Sequence, residues 1–240
     1  MTQTWMRKQD DYRQGQLLAR PTQSIVEAGP SGLYPLEIDG GRDGMLYVPS
    51  SYSVNTAAPF VLMLHGAGGS GRSILTPFLP LAESAGLLLQ APDSRMETWD
   101  FTLNRYNPDV VFIEQALELT FPRYAVDPTQ VVVGGFSDGA SYGLSLGLTN
   151  GDLFTHIIAF SPGFMAPAQR RGSPRIYISH GVHDRVLPIE SCSRRIVPNL
   201  KRNGYDVYYL EFDDGHSIPV QIVANAFAWF MGPMSEGTLA

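Results

Sequence analysis

Val131-Val132-Val133-Gly134-Gly135-Phe136-Ser137-Asp138-Gly139-Ala140 decides how this chain is read. Three β-branched apolar residues suit a strand covered on both faces. The run from Ala140 to Leu148 suits a helix whose Ala140, Gly143, Ser145 and Gly147 let it approach a sheet closely. Between them lies a G-x-S-x-G turn, Gly135 to Gly139. A serine at such a strand-to-helix turn is held in a strained conformation with its hydroxyl pushed outward, and the flanking glycines remove Cβ atoms that would clash there. Ser137 is therefore expected to be a nucleophile for acyl transfer.

Outward from this turn the pattern repeats. Phe60-Val61-Leu62-Met63-Leu64, Leu87-Leu88-Leu89-Gln90-Ala91, His156 to Phe160, Arg175 to Ser179 and Val207 to Phe212 read as strands. Ser73 to Ala85, Asp109 to Tyr124, Pro188 to Asn203 and Ile218 to Phe230 read as helices, with Pro77 and Pro80 complicating the first of them and Gly86 stopping it. Ahead of these, Leu33 to Ile38 and Gly44 to Val48 read as an antiparallel pair. Repeated strand–helix alternation selects an α/β fold with a mostly parallel twisted sheet and helices on both faces. Residues 1–32, polar and ending in Ala28-Gly29-Pro30-Ser31-Gly32, are expected to form an N-terminal arm, and residues 33–240 one catalytic domain.

A serine hydroxyl needs a neutral imidazole to take its proton, and the imidazole needs a carboxylate to fix its tautomer. In a parallel sheet both should come from loops at the carboxyl ends of strands. His216, in Asp213-Asp214-Gly215-His216-Ser217, follows the last strand, and Asp184, in His180-Gly181-Val182-His183-Asp184, follows the strand before it. Asp213 and Asp214 share a loop with His216 and are placed too close in sequence to reach its far nitrogen. His65 and His180, each before a glycine at a strand end, are expected to shape loops through backbone bonds. His183 reads as a rim residue, and His156 has no assignable role.

With these motifs the chain resembles the α/β-hydrolases of the carboxylesterase, phospholipase and thioesterase group, and is similar to bacterial poly(3-hydroxybutyrate)-depolymerase-like esterases. The resemblance runs from about Leu33 to Met231 and rests on Leu64-His65-Gly66-Ala67-Gly68-Gly69, the turn at Ser137, the His180-to-Pro188 segment and Gly215-His216. It implies an eight-stranded core and an acyl-enzyme mechanism. Asp138-Gly139-Ala140 and Ala67-Gly68-Gly69 depart from the Gln-Gly-Gly and Leu-Gly-Asp of acyl-protein thioesterases.

An oxyanion needs preorganised donors, and backbone N–H groups serve well. Asp138, at the start of the helix, and Ala67, with Gly68 as alternate, are the expected pair. The Gly-rich loop lacks the G-x-x-x-x-G-K-[ST] order of a phosphate cradle. Met96, Trp99, Phe101, Tyr106, Phe164 and Met165 lie in irregular stretches after strands, and Met96, Trp99, Phe101, Phe164 and Met165 are expected to line the substrate site. Asp138's carboxylate is expected to point away from the nucleophile, capping its helix or accepting a bond from a neighbouring loop.

Composition narrows the partners. In 240 residues, 44% hydrophobic and 17% charged, the net charge is −6, with no basic stripe. This argues against nucleic acid or an anionic membrane as partner and leaves a small-molecule ester. No stretch approaches the ~18 apolar residues of a membrane span, and the charged start, with Arg7, Lys8, Asp10, Asp11 and Arg13, does not read as a secretory signal. Cys192, the only cysteine, reads as a packed thiol. A cytoplasmic location fits that usage. No metal-ligand spacing appears and no cofactor is expected. The expected reaction is hydrolysis of short or accessible esters. A lysophospholipase, a thioesterase, a polyhydroxyalkanoate-oligomer hydrolase and a non-catalytic binding protein of the same fold are the alternatives.

Overall fold

The structure, a computed structural model, describes residues 12, 14–22, 29–100 and 108–232. Eight strands form one sheet: β1 (Gly32–Pro35), β2 (Gly44–Val48), β3 (Ala58–Leu64), β4 (Leu88–Pro92), β5 (Val126–Phe136), β6 (His156–Phe160), β7 (Arg175–Gly181) and β8 (Val207–Phe212). Their order is β1-β2-β4-β3-β5-β6-β7-β8. β1 and β2 run antiparallel to their neighbours, and the pairings from β4 to β8 are parallel. This is the α/β-hydrolase fold, as the alternation and the resemblance led one to expect.

The inner strands are apolar in an unbroken run because both faces are covered. Phe60, Leu62, Leu64, Val131, Val133 and Ile157 face one side. There they meet α3 (Pro108–Thr120), α4 (Asp138–Thr149) and α5 (Ser193–Arg202). Val61, Met63, Val132 and Ile158 face the other side, with α1 (Gly71–Leu75), α2 (Leu79–Ala85) and α6 (Val220–Met231). Alternate residues of one strand thus serve two cores, each completed by helices.

Several boundaries differ from the sequence reading: β1 ends at Pro35 rather than Ile38 and α3 at Thr120 rather than Tyr124, and three further differences have a local cause. The helix expected over Ser73 to Ala85 is α1, a 3-10 turn at Thr76–Phe78, and α2. Pro77 and Pro80 each enter at the start of a new segment, where a missing N–H costs nothing. β5 begins at Val126, which pairs with Ala58 across a register shift, before the apolar run that sequence makes visible. α5 starts at Ser193, not Pro188, because Pro188 to Cys192 make turns of their own.

Residues 14–20 lie against α3 and α4. Asn150 Oδ1 accepts the N–H of Leu17 at 2.8 Å, and Glu114 accepts those of Leu18 and Ala19, each at 2.9 Å. Among the described residues, no helix is long and apolar enough to cross a membrane.

Candidate active site

Ser137 occupies the turn between β5 and α4 with φ 57° and ψ −120°. This conformation is strained for a residue with a side chain. It persists because its surroundings leave no alternative. A Cβ at Gly135 would collide with the backbone of Gly139, and one at Gly139 with the carbonyl oxygens of Leu64 and His65. Ser137 N–H donates to Phe160 O at 3.0 Å, which fastens the turn to β6.

His216 reaches Ser137 from the loop after β8. Its Nε2 lies 2.9 Å from Ser137 Oγ and its Nδ1 2.6 Å from Asp184 Oδ2. A carboxylate only accepts, so Nδ1 carries the proton and Nε2 is free to accept from the serine hydroxyl. The ring packs on Phe136, with centroids 4.6 Å apart. Asp184, whose side chain is fully buried, also accepts at Oδ1 from Val186 N–H at 2.9 Å and Leu187 N–H at 2.8 Å. Burial alone would push this carboxyl up, but the bonds from His216, Leu187 and Val186 outweigh it and hold the group below its ordinary range.

Two buried histidines frame the site. His180 Nε2 faces Leu187 O at 2.8 Å and Asp184 Oδ2 at 3.2 Å, both acceptors, so that nitrogen carries the proton and Nδ1 accepts from Ser193 Oγ at 2.7 Å. His65 holds the opposite tautomer. Its Nδ1–H donates to Gly66 O at 2.7 Å, and Nε2 accepts from Ser94 N–H at 3.0 Å. Burial lowers the pKa of both rings, so each is neutral at pH 7. Both shape loops, as their place before a glycine led one to expect.

The loop after β3 holds one of the two expected oxyanion donors, Ala67, and the first turn of α4 the other, Asp138. Gly68 N–H donates to Glu97 O at 2.7 Å, which removes Gly68 as the alternate donor. Ala67 N–H has no protein partner among the described residues, and Asp138 N–H lies in the first turn of α4, where the helix offers no acceptor. Asp138's carboxylate points to a neighbouring loop: Oδ2 accepts from Thr98 Oγ1 at 2.7 Å.

Of the five residues expected to line the substrate site, Trp99 is corrected. It is 1% exposed, stacks on Tyr142 with centroids 5.1 Å apart, and donates from Nε1 to His65 O at 2.8 Å. Its indole holds the loop beneath the cleft. Met165 is half-buried against the core on the α3–α5 side. Met96 and Phe164 are exposed. Phe101, like Tyr106, lies outside the described residues. A cleft of about 370 Å³ next to the Ser137 turn is lined by Ile74, Pro77, Ile218 and Phe136, the residue before the serine, together with Ser73 and the β3 loop. These residues carry no motif, and only packing reveals which way they face. Sequence reading also missed Arg42, which bonds Ser94 O at 2.6 Å and Gly69 O at 2.7 Å, and Ser141, whose Oγ accepts Gly163 N–H at 2.8 Å.

The remaining polar groups fall away from the reacting atoms. Asp213 pairs with exposed His183 at 2.8 Å, and Asp214 accepts from Gly215 N–H and Ser217 Oγ, each at 2.7 Å. Cys192 is buried. His156 sits edge-on to Trp229 and Phe230. Among the described residues, no group of three or more His, Cys, Asp or Glu side chains is placed to hold a metal ion.

Comparison with known proteins finds the Phospholipase/Carboxylesterase family matching residues 110–230. No curated protein matches the chain. Among solved structures, esterase PE8 aligns at 24% identity over 78% of this chain and 98% of its own, with a TM-score of 0.59. A CE1 ferulic acid esterase from Anaeromyces mucronatus aligns at 20% identity over 92% of this chain and 93% of its own, with a TM-score of 0.61. A thermophilic esterase from the Planctomycetes species Thermogutta terrifontis aligns at 16% identity over 94% of this chain and 99% of its own, with a TM-score of 0.64. At such identities the likeness is one of fold.

Proposed function

We propose a serine-based acyl-enzyme mechanism for this chain, which belongs to the phospholipase/carboxylesterase family and is an ester-cleaving hydrolase. Ser137 Oγ attacks the ester carbonyl while His216 Nε2 takes its proton, and Asp184 steadies the imidazolium that results. The oxyanion is met by the N–H groups of Ala67 and Asp138, the latter at a helix N-terminus whose dipole favours negative charge. His216 then gives the proton to the departing alkoxide. Water enters, His216 deprotonates it, and His216 then returns that proton to Ser137 Oγ as the acyl group leaves as the acid.

One arrangement carries this reading: Oγ to Nε2 at 2.9 Å and Nδ1 to Oδ2 at 2.6 Å make an unbroken relay, in chain order Ser, Asp, His. The cleft supports a substrate class. Its volume of about 370 Å³ and its apolar walls at Ile74, Pro77, Phe136 and Ile218 suit a neutral ester with a short or compact acyl group. Asp138 beside the nucleophile disfavours an anionic one. Oligomeric hydroxyalkanoates, lysophospholipids and thioesters would use the same machinery, and the chain-length profile separates them.

Ser137→Ala tests the assignment. It is expected to stay folded and to lose roughly 10⁴-fold or more of p-nitrophenyl acetate turnover. Full turnover by a folded Ser137→Ala protein would end the reading.

A further inference from the structure

We propose that Thr98 and the Asp138 carboxylate are positioning residues that set the spacing between the two oxyanion donors, a role that rests on the acyl-enzyme reading above. The donors belong to separate elements. Ala67 rides on the loop after β3, and Asp138 on the first turn of α4. A third element, the loop after β4, touches both.

Three consecutive residues make those contacts. Glu97 O accepts the N–H of Gly68 at 2.7 Å, and Trp99 Nε1 donates to His65 O at 2.8 Å. These two bonds grip the β3 loop on either side of Ala67. Between them, Thr98 Oγ1 donates to Asp138 Oδ2 at 2.7 Å, which ties the same short segment to the residue beside the nucleophile. Ser94 N–H adds a fourth tie, to His65 Nε2 at 3.0 Å. The β4 loop is thus a template: it fixes the β3 loop through residues 97 and 99 and refers that loop to the Ser137 turn through residue 98.

The chemistry gives Thr98 its weight. The other three bonds reach only the β3 loop; the same segment meets α4 farther along, where Trp99 stacks on Tyr142 and Tyr142 Oη donates to Asp100 Oδ1 at 3.1 Å, and the Thr98 hydroxyl bond joins it to α4 at that helix's first residue, with a charged oxygen as acceptor, which makes it the stronger kind of hydrogen bond. An oxyanion hole works because its donors need no reorganisation during reaction. If the tie is cut, the N–H of Ala67 drifts relative to that of Asp138, and binding of the ground-state carbonyl suffers less than stabilisation of the oxyanion. The arrangement also gives the carboxylate beside the serine a use: it is aimed at a hydroxyl and away from the reacting oxygen.

Thr98→Val keeps the shape of this half-buried side chain and removes the donor. The expected result is a fall in kcat of about tenfold to a hundredfold with KM within about threefold of wild type. Thr98→Ser should restore most of the loss. Asp138→Ala should match Thr98→Val, and the double variant should be no worse than about threefold below either single one, since both cut one bond. Phosphonylation of Ser137 by a fluorophosphonate should slow in step with kcat. Wild-type kcat in Thr98→Val, failure of Thr98→Ser to recover, or fully multiplicative losses in the double variant would each overturn the proposal. Melting curves show whether each variant is folded. Should Thr98→Val unfold, Asp138→Ala and Thr98→Ser carry the test alone. Ser137→Ala, run beside them, separates the two ideas: if it retains turnover, the serine mechanism fails; if it is inert while Thr98→Val is unimpaired, only the positioning role fails.

Discussion

His65-Gly66 and His180-Gly181 place the same dipeptide at the carboxyl ends of β3 and β7, yet the two rings work in opposite tautomers and at different ranges. His180 serves its own loop. Leu187, Ser193 and Asp184, all within thirteen residues of it, take its bonds. His65 serves a distant one: Ser94 is 29 residues on, Trp99 is 34 on, and Arg42 ties the same two loops from 23 residues before. A carboxylate that must face one ring nitrogen can be held locally. An oxyanion loop must be set against a serine on another strand, and that requires bonds between elements. On the proposed mechanism, the difference teaches that the carboxylate is held within the β7 loop, whereas the oxyanion end draws on the segments around β2, β3, β4 and β5.

The largest expected effect breaks the β7 end. Asp184→Asn puts an amide where Nδ1–H of His216 needs an acceptor, and kcat should fall roughly 10³- to 10⁴-fold while the fold survives. A loss below tenfold would mean that the carboxylate does not orient the ring.

The second sharpens the contrast. His180→Leu leaves Leu187 O and Ser193 Oγ without their partner and should cost about 2–4 kcal/mol in urea unfolding. His65→Leu should cost less, about 1–2 kcal/mol, because Arg42 still bonds both Gly69 O and Ser94 O. The reverse order would contradict the picture of one ring acting alone and the other sharing its task.

The smallest effect concerns the β4 loop's other anchor. Asp109 is 1% exposed and accepts N–H bonds from Arg95 and Asp100, each at 2.6 Å. Burial, joined by the nearby Asp100 carboxylate, raises its carboxyl to about 6, against the bonds from Arg95 and Asp100. A pKa raised on folding means stability that is full below the unfolded value near 4 and is lost as pH rises through about 6. Asp109→Asn removes that dependence. Its unfolding free energy should improve relative to wild type between pH 4 and pH 7 by about 2 kcal/mol. A constant difference across that range would show that Asp109 ionises freely.

Much of this was legible in sequence. The inner strands declared themselves because burial on both faces demands apolar runs, and Phe60 to Leu64 could be little else. That Ser137, Asp184 and His216 meet was legible because their motifs sit at strand ends, which the fold gathers on one edge. What was hidden depends on direction. Nothing local says that Trp99 turns inward under His65, or that Gly68 spends its N–H on Glu97. Ile74 and Pro77 fall in a stretch that reads as one helix, and the break at Thr76–Phe78 sets them along the cleft. Thr98 carries no motif, since its bond to Asp138 spans 40 residues.

The direct test is to trap the acyl-enzyme. Rapid quenching of the wild-type protein with p-nitrophenyl acetate, followed by peptide mass mapping, should place one acetyl group on Ser137 and none on Ser141 or Cys192. An active protein that acylates elsewhere, or that turns over ester with Ser137 never modified, would contradict nucleophilic attack from the β5 turn.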